Sequence, residues 1–166
     1  MGIEIERKFL VVDDGWRAAA HAVIPMAQGY INDIGALDRG DQNASVRVRI
    51  EGESAALNLK SRTLGRSRQE FEYPIPVEDA RALLALCVGG QVDKRRHLVR
   101  YEGLLWEVDE FLGDNAGLVV AEVELDDPDQ PVPVPPWAGA EVTDQARYYN
   151  VALASRPYAL WTADER

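Results

Sequence analysis

Among the like charges that stand two positions apart in this chain are six pairs: Glu4/Glu6, Arg47/Arg49, Glu70/Glu72, Lys94/Arg96, Glu107/Asp109 and Glu122/Glu124. In a β-strand, residues i and i+2 share a face, so each pair sets two repelling groups side by side. That placement becomes favourable when a third party neutralises the charge. Paired carboxylates offer the hard oxygen ligands that Mg²⁺ and Mn²⁺ prefer. Paired guanidinium and ammonium groups suit phosphate oxygens, which arginine meets through a planar fork. Taken singly, each segment also fits an antiparallel sheet with one wet face, where opposite charges pair across strands. Wet faces are usually rich in Thr, Ser, Gln and Lys, whereas these are rich in Arg and Glu.

The elements that must position these groups follow from the alternation. Ile3 to Val11 predicts a strand with Glu4, Glu6 and Lys8 opposite Ile3, Ile5, Arg7, Phe9 and Val11. Further strands are predicted at Gln28–Asp33, Ser45–Glu51, Ala56–Ser61 (Asn58 and Lys60 in phase), Arg66–Tyr73, Val92–Tyr101, Leu104–Phe111 and Leu118–Leu125. In the Arg66–Tyr73 segment Arg68 shares a face with Glu70 and Glu72, and Pro74 and Pro76 end it. Trp16–Val23 reads as a short helix and Gly35–Asn43 as a loop. Val77–Val88 reads as a helix stopped by Gly89-Gly90. A final helix is predicted over Glu141–Ser155 with Thr143 as N-cap. Asp126 to Pro136 is an extended connection. Eight strands joined by short turns, with about three helices, favour an α+β, mainly antiparallel β fold. Closing that sheet would put the charges inside and the apolar faces outside, against the helices. About eight strands leave only a narrow interior, suited to a slender, highly charged ligand.

The 166 residues are long enough for one domain spanning 1–166, and 46% hydrophobic residues place it among globular chains. A net charge of −10 argues against a broad nucleic-acid surface, but not against a small basic pocket. No apolar run approaches the ~20 residues of a membrane span. Charges begin at Glu4, unlike a secretory signal, and a lone Cys87 rules out an internal disulfide. The expected setting is the reduced cytoplasm. No Cys/His cluster has zinc spacing. His21, in the predicted helix, and His97, on a strand, read as structural or surface groups. Trp16, Trp106, Trp137 and Trp161 read as packing residues, with Trp106 beneath a helix.

EIERK at Glu4–Lys8 fits the ExExK signature of the CYTH domain of triphosphate tunnel metalloenzymes. VRVR at 46–49, LKSR at 59–62, SRQEFEYPIP at 67–76, DKRR at 93–96, WEVDEF at 106–111, AEVEL at 121–125 and EVTDQARYYN at 141–150 follow in the family's order. The resemblance covers essentially the whole chain. It implies an eight-stranded antiparallel β tunnel, with helices outside and a C-terminal helix capping one mouth. Its members act on triphosphate groups with Mg²⁺ or Mn²⁺, here two ions per site. By this resemblance Glu4, Glu6, Glu122 and Glu124 would hold metal. Lys8, Arg47, Arg49, Lys60, Lys94 and Arg96 would grip phosphates, joined by Arg68 and, from the capping segment, Arg147. Lys8 would also steady charge on the leaving group, and Glu122 and Glu124 would serve the attacking water. Glu70, Glu72, Asp109 and Tyr30 would support them: Glu70 and Glu72 as ligands or counter-ions, Tyr30 at the tunnel mouth or in packing.

A short single-domain chain of this kind resembles inorganic triphosphatases, which cleave tripolyphosphate to pyrophosphate and phosphate. The implied partner is thus a small anion, with no nucleic acid or membrane; a homodimer is compatible with the family. Class IV adenylyl cyclases and thiamine triphosphatases of the same family are the alternatives. Outside the enzymes, the alternative is a non-catalytic polyphosphate-binding module; the intact carboxylate pairs favour catalysis. Where relatives often read VTxDPRY, Gln145 and Ala146 depart from the pattern, and His97 stands where an aromatic residue is common.

Overall fold

The computed structural model describes residues 2–62 and 67–166. Strands β1 (Gly2–Val11), β2 (Ala20–Tyr30), β3 (Ala44–Glu51), β4 (Ser54–Ser61), β5 (Ser67–Ile75), β6 (Val88–Tyr101), β7 (Leu104–Phe111) and β8 (Val119–Glu124) form one antiparallel sheet. Its order is β5-β4-β3-β2-β6-β7-β8-β1, and β1 pairs back onto β5, closing an eight-stranded barrel as expected. Closure leaves no long unpaired edge. The far end of β1, past its pairing with β5, is taken by a ninth strand, β9 (Ala138–Glu141), through Phe9↔Glu141 and Val11↔Ala138. At the β6–β7 hairpin, Glu102 and Gly103 both adopt positive φ (45° and 84°), as a two-residue turn matching strand twist requires. Pro74 stays inside β5, opposite Ala56. The pairing of β5 with β1 covers only Ser67 to Glu70, so the N–H that proline lacks falls on a free edge.

Apolar side chains pack outside the barrel or at one end of it. Phe9, Val99, Trp106, Val108, Ala121 and Val123 cover the outer face of β1, β6, β7 and β8, beneath Trp16 of α1 (Gly15–Ala19) and Trp137 of the chain entering β9. Trp106 lies edge-on to Trp137, at 5.6 Å between centroids, in the same cluster as Trp16 of α1. Over β3 and β4, α3 (Val77–Leu84) seats Ala80 against Val48 and Ala55. A third cluster joins Val92, Phe111 and Val120, which share the inner face with the charges, to Leu153 of α4 (Asn150–Ser155) and Trp161. It plugs the interior on the β6–β7–β8 side. No helix among the described residues is long and apolar enough to cross a membrane.

Several element boundaries differ from expectation. The helix predicted over Trp16–Val23 ends at Ala19, and β2 starts at Ala20, so His21 lies on a strand. Alternating burial along β2, matched to β6, outweighs local helix preference. The expected loop Gly35–Asn43 contains α2 (Ile34–Arg39), capped by Asp33, whose side chain accepts from the Gly35 N–H. Gly89 and Gly90 do not stop α3 but begin β6. Ser67 opens β5; Arg66, where that strand was expected to begin, lies outside the described residues. The final helix shrinks to α4, preceded by a single 3₁₀ turn at Ala146–Tyr148. Thr143 is not an N-cap: its hydroxyl oxygen accepts from the Lys8 backbone N–H at 3.1 Å and donates to Glu141 at 2.7 Å.

Candidate active site

The closed register sets the charged groups in facing rows. Across the β1–β8 pair Glu6 faces Glu124 and Lys8 faces Glu122; across β1–β5 Glu4 faces Arg68. Arg47 lies between Tyr30 and Asn58, Lys60 opposes Glu70, Asn58 opposes Glu72, and Arg96 opposes Asp109. All point inward around a cavity of about 560 Å³. It is lined by Glu4, Glu6, Lys8, Tyr30, Arg47, Arg49, Lys60, Arg68, Glu70, Glu72, Lys94, Arg96, Glu122 and Glu124. Two residues named for the site do not line the cavity. Asp109 is fully buried behind Lys94 and Arg96. Arg147 does not line the cavity: its guanidinium lies over the rings of Tyr148 (4.9 Å) and Trp161 (5.2 Å). A turn closed by the Gln145 N–H on the Val142 carbonyl, followed by the 3₁₀ turn, carries it there in place of the expected helix.

The charges form three networks. In the first, Asp109 accepts two bonds from Arg96, both 2.8 Å, and one from Lys94. Arg96 also reaches Glu122 at 3.3 Å and pairs with Glu107, and Lys8 donates to the other Glu122 oxygen. In the second, Glu4 accepts from Lys60 at 2.8 Å and from Arg68 at 2.9 Å, and Arg68 donates to Glu6 at 2.6 Å. In the third, Arg49 pairs with Glu72 at 3.1 Å and Glu51 at 3.4 Å. Glu70 and Glu72 act as counter-ions: both accept from the Asn58 amide, and each faces a cation, Lys60 or Arg49.

Titration behaviour follows from burial and neighbours. Burial pushes the Glu122 carboxyl up, but Lys8, Arg96 and Lys94 outweigh it and hold the group well below the usual range. Burial likewise opposes ionisation of Glu4, yet Lys60 and Arg68 bring it down to about 2. Glu6 goes the other way, raised by burial and by the nearby Glu122. Glu124 is raised by burial and by Glu4 and Glu70. Burial lowers Lys94 to about 8 despite Asp109. Burial lowers Lys60 and Arg49 too, and the positive charge of Arg47 lowers both further.

Arg47 is the outlier. It is 6% exposed, its Nε meets no acceptor, and among the described residues no carboxylate pairs with it. Its neighbour is the Tyr30 hydroxyl: burial raises that phenol, and the Arg47 charge opposes the rise. A buried cation without a counter-ion is costly, and here it sits between two other cations.

Some lining residues were not among those expected in the site. Glu107 stands in phase with Asp109 on β7, so alternation alone placed it inside. Tyr149 and Asn150 enter from the capping segment, where no periodicity marks which side chain turns inward. Ile34 and Leu37 of α2 and Arg62 complete one mouth.

Residues 2–158 match the CYTH domain. An inorganic triphosphatase of Acetivibrio thermocellus is 43% identical over 159 residues, covering 95% of this chain and 97% of that protein. An inorganic triphosphatase of Nitrosomonas europaea is 40% identical over 156 residues, covering 91% and 96%. The crystal structure of the inorganic triphosphatase NE1496 superposes with a TM-score of 0.65 at 35% identity, covering 98% of this chain and 97% of that one. The closed barrel, its inward charged rows and a domain match over nearly the full length agree, and the chain belongs to the CYTH domain family.

Proposed function

We propose that this chain is an inorganic triphosphatase that hydrolyses tripolyphosphate to pyrophosphate and phosphate with Mg²⁺ or Mn²⁺, two ions per site. The observation that carries the reading is Arg47, a buried guanidinium with no carboxylate partner among the described residues, flanked by Arg49 and Lys60 in an enclosed cavity. That local excess of positive charge asks for a compact polyanion. The names borne by relatives at 40–43% identity support the same substrate class.

The carboxylates fit a divalent cation in donor chemistry. Glu6 faces Glu124; burial and the charge of Glu122 raise Glu6, and burial with Glu4 and Glu70 raises Glu124, a strain that a cation relieves. Among the described residues no three such groups yet converge as a ligand set, because Glu4, Glu6 and Glu122 are turned onto Lys60, Arg68 and Lys8. Glu4, Glu6, Glu122 and Glu124 would hold the metal as phosphates take over those cations. A bound divalent ion supplies charge neutralisation and an acidified water.

The side chains do the rest. Phosphoryl transfer asks mainly for in-line positioning and neutralised charge. Arg47, Arg49, Lys60, Lys94 and Arg96 line the path of the phosphate chain, with Arg68 at its β5 side. Lys8 and Arg96 both donate to Glu122 and hold that carboxylate, and the charge of Lys8 and the arginines would steady the leaving pyrophosphate. Glu122, kept ionised by those cations, can orient the attacking water, and no histidine is required.

The direct test compares tripolyphosphate, ATP and thiamine triphosphate under Mg²⁺ and Mn²⁺. Tripolyphosphate is expected to be turned over fastest, chelation with EDTA to abolish turnover, and added metal to restore it. Preference for an organic triphosphate would move the chain to another activity of the family. Tight tripolyphosphate binding without hydrolysis would make it a binding module. Arg47→Ala should cost roughly 1.5–3 kcal/mol of substrate interaction, as for other hydrogen bonds to charged groups, and so raise KM about 10- to 150-fold. An unchanged KM would remove Arg47 from the phosphate path.

A further inference from the structure

We propose that Tyr149 is a positioning residue of the tunnel: its ring is the uncharged seat on which Lys8 and Arg68 are held for the phosphate chain. The proposal rests on the triphosphatase reading above. Tyr149 is 4% exposed and lines the cavity. The Lys8 ammonium lies 4.7 Å from its ring centroid and the Arg68 guanidinium 5.2 Å. These two cations come from different strands and belong to different ion-pair networks, one through Glu122 and the other through Glu4 and Glu6. Tyr149 is a group both share.

The ring is itself fixed. Its hydroxyl donates to the Thr143 carbonyl at 2.6 Å. The Thr143 hydroxyl accepts from the Lys8 backbone N–H, and the Val142 N–H donates to the Lys8 carbonyl at 2.7 Å. The capping segment thus clamps the backbone of Lys8 while its tyrosine supports the side chain.

The chemistry explains why an aromatic residue suits this position. A carboxylate here would hold both cations more strongly, but it would repel the phosphates and compete for the same N–H groups. A ring attracts cations through its quadrupole and carries no net charge. When metal and substrate draw Glu122, Glu4 and Glu6 away from Lys8 and Arg68, the ring still holds the cations in place.

The test uses Tyr149→Leu, Tyr149→Met and Tyr149→Phe in the full chain. Leu and Met, which lack a ring, should lower kcat/KM for tripolyphosphate about 10- to 100-fold. Phe, which keeps the ring and loses only the bond to Thr143, should restore most of that loss. Independently of activity, the Lys8 ε-methylene protons should resonate upfield through the ring current in wild type and Tyr149→Phe, and return to ordinary positions in Tyr149→Met. Folded Leu and Met variants within twofold of wild type would overturn the proposal, as would a Phe variant as impaired as Leu or a Lys8 resonance indifferent to the ring. A wild-type chain that does not hydrolyse tripolyphosphate would instead overturn the functional reading, and the resonance would still report on the seat.

Discussion

Glu122→Gln is expected to lower kcat/KM for tripolyphosphate by about a thousandfold or more, close to 4 kcal/mol of transition-state stabilisation, and to leave the barrel folded. The substitution keeps shape and removes one negative charge. Glu122 joins Lys8 and Arg96 and lies opposite Glu107 across the β7–β8 pair. Its carboxyl is held ionised by those cations against the pull of burial. A neutral amide loses both a hard ligand and the anion that aims two N–H donors. Lys8 retains Glu6 as a neighbouring charge and the Tyr149 ring, and Arg96 retains Asp109 and Glu107, so neither cation is stranded. Kinetics with and without Mg²⁺, beside a thermal melt, check both halves. Near-normal turnover would take Glu122 out of the site.

The second large effect falls on stability. Asp109→Asn should destabilise the fold by about 3 kcal/mol, or roughly 6–12 °C in Tm for a chain of this size. Asp109 is fully buried and receives both guanidinium bonds of Arg96 and the Lys94 ammonium. Burial pushes its carboxyl up, but those two cations outweigh burial and hold it below the ordinary value. An amide leaves two buried cations facing each other across a neutral group. The loss is limited because Lys94, already lowered to about 8 by burial, can shed its proton. Tripolyphosphate should narrow the difference between variant and wild type, because its charge substitutes for the missing anion. Urea or thermal unfolding with and without the anion reads both quantities, and an unchanged Tm would place the anchoring of Lys94 and Arg96 elsewhere.

Much of this architecture was legible because strand alternation is strict. Along β1, β3, β5, β6 and β8 the charged residue at every second position pointed to the interior that the structure shows, and the same phase placed Trp106 and Val123 outside. Sequence reasoning failed where chain geometry has no period. Residues 141–149 look helical by composition, yet Glu141 ends β9 and a turn and a 3₁₀ turn follow, because the free end of β1 offers a pairing partner. That difference moved Arg147 against the buried rings of Tyr148 and Trp161 and brought Tyr149 into the cavity. At Trp16–Val23, alternating burial was hidden behind good helix formers, and long-range pairing with β6 decided the outcome. The networks were also beyond reading. Spacing shows that Glu70 and Glu72 face inward, but only the closed register shows which cations they neutralise, and that among the described residues no carboxylate pairs with Arg47.

A crystal structure grown with tripolyphosphate and Mn²⁺ tests the central claim most directly. The phosphate chain should lie inside the barrel against Arg47, Arg49 and Lys94, with anomalous peaks at the carboxylates of Glu6, Glu122 and Glu124. Phosphate and manganese bound on the outer surface, with Arg47 still unpaired in an empty interior, would contradict it.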